Sequence, residues 1–498
     1  MSSSIDWHQR AQGLAPDGRA VIDGERRDAV AGETFTKASP IDGRTLGPVA
    51  RGREADIDAA VKSARAAFAD GRWAGKAPAV RKKILQRFAD KILAAKEELA
   101  LLETLDMGKP IQYSLSVDVP SCARTIAWYA EAIDKIYDEI APTPANSLAL
   151  ITREPTGVVG VIVPWNYPMI MAAWKLGPAL ATGNSVVLKP SEKSPYTALR
   201  LAELALEAGI PPGVFNVVPG YGHEAGEALA LHMDVDAIGF TGSTRVGRKM
   251  LEYAGRSNLK RVWNELGGKS AFLVFPDFAD IERAAKTVAG SLFFNQGESC
   301  NAPSRVLVHA SIADRFVEIV AAEAPKYRPD DPLASATVMG ALVDEVQMKT
   351  VLGYIAAGRN EGARLVAGGA QARTESGGYY VEPTVFDGVA NSMTIAREEI
   401  FGPVMGVIRF ETEAEAIALA NASSYGLQAS VWSDNLNRAH RVARALRAGT
   451  VHVNQYDDDD ITVPFGGYKQ SGNGRDKSLH AMDKYTELKT TWLRIAAA

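Results

Sequence analysis

The feature that ties this chain most tightly to one kind of fold lies between residues 157 and 265. Four short runs of β-branched and aliphatic residues recur there, at 158–163, 185–188, 215–218 and 237–240. Stretches long enough for helices separate them. Apolar runs that do not alternate with polar residues suit strands buried on both faces, and strands joined through helices run parallel. The expected architecture is an α/β protein built on a doubly wound parallel sheet, which binds ligands beyond the carboxyl ends of its strands. Three polar segments stand at such ends. Pro164-Trp165-Asn166-Tyr167-Pro168 follows the first strand, Lys189-Pro190-Ser191-Glu192 the second, and Thr241-Gly242-Ser243-Thr244-Arg245-Val246-Gly247 the fourth.

Each segment reads two ways. Gly242 and Gly247 stand where a backbone could approach phosphate at a helix N-terminus, though a plain strand–turn–helix joint has the same look. Lys189 and Glu192 are either surface charges or partners of an adenosine ribose. A carboxylate accepts hydrogen bonds from ribose hydroxyls and repels a 2′-phosphate, so the second reading favours NAD over NADP. Trp263-Asn264-Glu265-Leu266-Gly267-Gly268-Lys269-Ser270 sets a carboxylate before a glycine pair at a domain junction; a turn with a solvated Glu would look alike.

A second α/β unit is expected from 271 to about 465. It contains Phe294-Asn295-Gln296-Gly297-Glu298-Ser299-Cys300-Asn301, a polar turn between the apolar runs 287–294 and 305–308. Cys300 is one of only two cysteines. A thiol at a helix-to-strand turn is either a buried structural side chain or a nucleophile aimed into a cleft. Further on lie Arg397-Glu398-Glu399-Ile400-Phe401-Gly402-Pro403, then four aspartates from Asp457 to Asp460, then Pro464-Phe465-Gly466-Gly467-Tyr468-Lys469-Gln470-Ser471-Gly472.

The remaining segments read as scaffold. Residues 1–50 hold short extended pieces such as 20–24. Helices are expected from Asp56, which is placed to cap, and over 79–105 and 119–141. A strand at 148–155 is matched by one at 486–493; two such margins need cover, and a second copy of the chain is a common cover, so a homo-oligomer is expected, dimer or tetramer. At 498 residues the chain exceeds one ordinary core, so two or three domains follow. A net charge of −4 with scattered basic residues points away from nucleic acid. With two cysteines, no basic-then-apolar leader and no apolar run near ~20 residues, the expectation is a cytoplasmic protein with no membrane partner. Seven unclustered histidines and no cysteine pair make a protein-held metal unexpected.

Six motifs in this order resemble the NAD(P)-dependent aldehyde dehydrogenase superfamily, from about residue 20 to the C-terminus. The cluster at 466–478 is most similar to bacterial members acting on aminoaldehydes from polyamine breakdown, such as γ-glutamyl-γ-aminobutyraldehyde dehydrogenases. The resemblance implies a Rossmann-like NAD-binding domain over 1–140 and 157–265, a catalytic domain over 266–480, and a small β oligomerisation arm over 141–156 and 481–498. It implies Cys300 as nucleophile, Asn166 as oxyanion donor and Glu265 as general base. Lys189, Glu192, Trp165, Gly242, Ser243, Gly247, Glu399 and Phe401 would contact the cofactor, NAD with NADP weaker. Tyr167, Trp174, Phe465, Asp118, Asp458 and Asp459 would border the aldehyde. The substrate expected is an ω-aminoaldehyde or γ-glutamyl-γ-aminobutyraldehyde; a semialdehyde or broad-specificity enzyme, or a CoA-acylating relative, is the alternative. One residue departs from the family pattern. Most members carry Gln where this chain has Glu298, and a carboxylate that close would oppose a thiolate unless it points away or is paired.

Overall fold

The computed structural model describes residues 5–457 and 460–496. Two seven-stranded sheets dominate it. In the first, Val158–Ile162, Ser185–Lys189, Phe215–Val217, Ala237–Thr241 and Arg261–Glu265 all run parallel. Every residue of Val158–Ile162, Ser185–Lys189 and Ala237–Thr241 is buried, as expected of strands covered by helices on both faces. The N-terminal hairpin Ala20–Ile22 with Glu25–Arg27 extends this sheet antiparallel, through Val21 opposite Val217. The second sheet sets Ala271–Val274 between Arg305–His309 and Gln428–Trp432, with Val404–Phe410 and Thr450–Val453 outside them, all parallel.

The two sheets meet head to tail. The first presents the carboxyl ends of its strands to a central cleft, at Pro164, Thr241 and Glu265. The second presents the amino ends of its strands, at Gln428 and Thr450, and the loops that lead into them. The cores interlock across this junction: Leu427, Ile461, Phe465, Ala481, Met482 and Tyr485 pack in the same cluster as the helices of the first unit.

Three sequence expectations change at the level of elements. The segment over 79–105 is two helices, Pro78–Ala94 and Lys96–Met107, broken at Ala95. The helix expected over 119–141 is Val119–Ala132 and gives way to the strand Glu139–Ala141. Asp56 sits in the first turn of Glu54–Ala69 rather than at its cap, and reaches back to accept from Arg53 N at 2.9 Å. The margin strands pair as expected: Ser147–Pro155 runs antiparallel to Thr486–Arg494 over nine residues, with Glu139–Ala141 as a third strand. Leu488 and Trp492 remain exposed on this sheet. Residues 479–485 turn inward instead, with Ala481, Met482 and Tyr485 buried in the main core.

Candidate active site

A cleft of about 750 Å³ opens at the junction of the sheets. Its wall brings together Trp165, Asn166, Tyr167, Trp174, Gly242, Ser243, Glu265, Cys300, Glu399, Phe401 and Phe465, residues spread over 300 positions of sequence.

Cys300 stands in the turn between the helix Ile281–Phe293 and the strand Arg305–His309. The turn is tight because three consecutive residues adopt left-handed backbone: Asn295 (φ 48°), Gln296 (φ 58°) and Gly297 (φ 71°). Such conformations cost about 1–3 kcal/mol each in non-glycine residues and persist where surrounding bonds over-determine them. Those bonds are present. Gly340 N donates to Gln296 Oε1 at 3.1 Å, and Asn295 Nδ2 donates to the Asn166 and Glu298 carbonyls at 3.1 and 3.2 Å. At position 297 a Cβ would stand 2.3 Å from the Gly402 carbonyl oxygen, so only glycine fits.

Two consecutive residues from the first sheet grip this loop. Asn166 Nδ2 donates to the Glu298 carbonyl at 2.8 Å, and the Tyr167 hydroxyl lies 2.7 Å from Ser299 Oγ. One amide hydrogen of Asn166 is thereby engaged, a second remains, and both Asn166 and Cys300 line the cleft.

Glu298 does not face Cys300. Its side chain is fully buried, with Oε1 accepting from Val343 N at 3.1 Å. Burial raises its carboxyl well above the ordinary range, against the donation from Val343 N. The thiol of Cys300 is pushed well up from its ordinary value by burial first, then by the carboxyls of Glu265, Glu399 and Asp457. After burial, the opposition to a thiolate thus comes from carboxyls distant in sequence, not from the neighbour two residues away.

Glu265 ends the last strand of the first sheet. It is buried, and neither carboxyl oxygen has a hydrogen-bond partner. Burial, then Asp476, raises its carboxyl well above the ordinary range, against the pull of Lys175 and Lys484. A carboxyl without donors on a cavity wall is available to a water or a substrate. Glu399 is raised to about 7 by burial, although Oε1 accepts from Gly268 N at 2.9 Å. Its approach requires glycine at 267, where a Cβ would meet Glu399 Oε2 at 2.1 Å. Phe401 is held left-handed (φ 57°), its carbonyl accepting from Gln347 Nε2 at 2.7 Å and its ring edge-on to Trp165.

Other sequence candidates sit elsewhere. Lys189 and Glu192 form an ion pair of 3.0 Å outside the cleft wall. Burial lowers the Lys189 ammonium; Glu192 ends below its ordinary value because Lys189 outweighs its burial. Gly247 lies inside the helix Thr244–Arg256, where a Cβ would strike the Leu266 side chain at 2.5 Å; it serves helix packing, not the cleft. Asp118 is corrected most plainly: it is sealed in the helical layer, 2.5 Å from the buried Lys109 Nζ, and does not reach the cleft. Asp458 and Asp459 lie outside the described residues. Their neighbour Asp457 does line the cleft, accepting from Asn301 Nδ2 at 2.6 Å. Sequence reasoning did not single out Thr241, Gln347, Arg124 or Lys477, which also line it. Charged and amide side chains that reach a cavity from a helix face carry no local pattern. Among the described residues no group of three or more His, Cys, Asp or Glu could hold a metal, and no helix is long and apolar enough to cross a membrane.

Comparison with known proteins agrees with this geometry. The aldehyde dehydrogenase family model matches residues 27–491. The chain is 52% identical over 491 residues to the NADP/NAD-dependent aldehyde dehydrogenase PuuC of Escherichia coli, covering 99% of this chain and 98% of that one. Its fold superimposes on an indole-3-acetaldehyde dehydrogenase solved with NAD+, at TM-score 0.97 and 62% identity over 98% of this chain and 99% of that one. A γ-glutamyl-γ-aminobutyraldehyde dehydrogenase from Burkholderia cenocepacia gives TM-score 0.97 and 58% identity, covering 99% of each chain.

Proposed function

The chain belongs to the aldehyde dehydrogenase family, an NAD(P)-dependent enzyme class, and from that premise we propose that it oxidises an aldehyde to a carboxylic acid through a covalent intermediate on Cys300. The observation that carries this reading is the convergence of Cys300, Asn166 and Glu265 on one cleft wall.

The Cys300 thiolate adds to the aldehyde carbon, and the carbonyl oxygen becomes an oxyanion. The free amide hydrogen of Asn166 and the Cys300 backbone N–H donate to that oxyanion; losing one such donor costs about 3–4 kcal/mol of transition-state stabilisation. When bound, the nicotinamide supplies the hydride acceptor that turns the adduct into a thioester. Glu265 then takes a proton from water, which attacks the thioester carbonyl and releases the acid and the Cys300 thiolate. The unpartnered carboxyl of Glu265 supports this role, because a base already bonded to protein donors would be a weaker one.

The residues present fit a dinucleotide. Thr241 Oγ1 is buried on the cleft wall without a partner, and beside it Gly242 and Ser243 open the helix Thr244–Arg256, whose N–H groups suit a pyrophosphate. Trp165, Glu399 and Phe401 would hold the nicotinamide end. Lys189 and Glu192 would hold the adenosine ribose, and the Glu192 carboxylate favours NAD over NADP.

For the aldehyde, the wall offers Tyr167, Trp174 and Phe465 to a carbon stem. We infer an ω-aminoaldehyde or γ-glutamyl-γ-aminobutyraldehyde. Asp457 suits an ammonium, while Arg124 and Lys477 on the same wall suit a carboxylate. That mixture favours the γ-glutamyl compound, whose amino-acid head carries both charges. The exposed Leu488 and Trp492 of the three-stranded arm support a homo-oligomer, dimer or tetramer, with a second copy as cover. A cytoplasmic location fits the two free cysteines.

The test is sustained NADH formation from aldehyde and NAD with neither CoA nor phosphate present. Turnover that begins only when one of them is added would assign the acylating alternative instead.

A further inference from the structure

Behind the cleft lies a buried charge cluster with no part in the mechanism above. Lys109, Glu103 and Asp118 are each fully buried in the helical layer of the first unit. Lys109 Nζ is 2.5 Å from Asp118 Oδ1 and 3.9 Å from Glu103 Oε1. Both Glu103 oxygens and Asp118 Oδ2 have no hydrogen-bond partner. Taking such charges from water is costly, and a paired buried charge is weak evidence of stabilisation for its own sake. What the cluster touches is more telling. Lys109 Nζ stands 4.1 Å from the centre of the Tyr167 ring. The same ring carries the hydroxyl 2.7 Å from Ser299 Oγ, and Ser299 immediately precedes Cys300.

We propose that Lys109 is a positioning residue for Cys300: clamped by Asp118, its ammonium fixes the Tyr167 ring so that the phenol hydroxyl holds Ser299 and, through it, the nucleophile. Asn166 and Tyr167 are consecutive, and they hold Glu298 and Ser299, which are also consecutive. The loop so held contains the strained residues Asn295 and Gln296 and cannot keep its shape by backbone preference alone. Two bonds from the segment that links Val158–Ile162 to the helix Pro168–Ala181 resist the rotation that one bond would allow. A cation over a ring face in a dry site is attracted by the ring's quadrupole and limits its tilt.

The inference rests on Cys300 being the nucleophile, and it is read without turnover. The assay is the rate at which iodoacetamide alkylates Cys300 in the full-length protein, followed by mass spectrometry of the Cys300 peptide. Cys122, the other cysteine, is buried and reports on a separate peptide. Tyr167→Phe keeps the ring and the charge pair and removes only the hydroxyl. It is expected to slow alkylation about tenfold, the scale of one lost hydrogen bond, and to lower kcat more than it changes KM. Because Lys109→Met alone would strand Asp118 and fail to fold, the lysine is tested as Lys109→Met with Asp118→Asn. That pair should slow alkylation similarly, with little further loss when Tyr167→Phe is added, since all act through one ring. Folded variants with wild-type alkylation rates, or losses that multiply fully, would overturn the proposal. A protein in which these variants slow alkylation but none forms NADH would instead sink the dehydrogenase reading.

Discussion

Glu265→Gln separates chemistry from folding unusually well. Both carboxyl oxygens lack partners, so the near-isosteric amide removes no hydrogen bond from the fold. Any rate loss therefore belongs to the reaction. A positioned general base contributes about 10²–10⁴-fold, or roughly 3–5 kcal/mol. The loss should fall on thioester hydrolysis alone: rapid-mixing absorbance should show a burst of about one NADH per chain, followed by turnover slowed by that factor. Stability should move the other way. Burial raises the Glu265 carboxyl above its ordinary 4.5. Its folded-state contribution is thus complete below the unfolded value and is lost as pH rises through the folded one. Gln cannot ionise, so the melting temperature of the variant should gain on wild type as pH is raised from 5 to 8.5. Glu265 is also the first of the carboxyls that hold the Cys300 thiol up; alkylation of Cys300 near neutral pH should therefore quicken in the variant. Unchanged steady turnover, or loss of the burst with the turnover, would refute the assignment of Glu265 as base.

Three further outcomes are expected. Asn166→Ala should lower kcat about 10²–10³-fold, with a stability loss of only about 1 kcal/mol from its bond to the Glu298 carbonyl, measured by stopped-flow absorbance and denaturant melts. Glu192→Ala should shift the ratio of kcat/KM for NAD over NADP about tenfold toward NADP, the scale of one like-charge repulsion near a surface; an unchanged ratio would move the ribose site elsewhere. Ending the chain at Tyr485 removes the strand paired with Ser147–Pro155 and its exposed Leu488 and Trp492, and light scattering should report a smaller assembly than full-length protein gives.

How much of this could be read beforehand depended on the range of the signal. The parallel strands of the first sheet were legible because burial on both faces leaves a local mark, an unbroken apolar run at each of 158–162, 186–188 and 237–240. The break at Ala95 and the early end of the helix at Ala132 were not, since alanine favours helix and only tertiary packing ends it there. The pairing of 147–155 with 486–494 was legible from strand pattern at the two margins, but the inward turn of 479–485 was not: a 3₁₀ segment has no long periodicity to read.

At the site, most residues named by motif line the cleft, Lys189, Glu192 and Gly247 excepted, whereas Asp118, named for its charge, does not. Asp118 has the sequence character of a solvated acid, yet its partner Lys109 draws it into the core. Glu298 meets the condition under which its departure from the pattern is harmless. Proximity in sequence suggested a carboxylate pressing on the thiol, but in a turn with three left-handed residues, neighbours two apart need not share a direction. The backbone N–H of Val343, from a distant loop, draws Glu298 away, and burial raises its carboxyl well above the ordinary range. The departure from the family's Gln is therefore small at the thiol, because the Glu298 carboxyl is buried and bonded to Val343 N, and it is not among the groups that press on Cys300. On that reasoning Glu298→Gln should leave the Cys300 alkylation profile against pH unmoved, and a downward shift of that profile would mean that the Glu298 charge reaches the thiol.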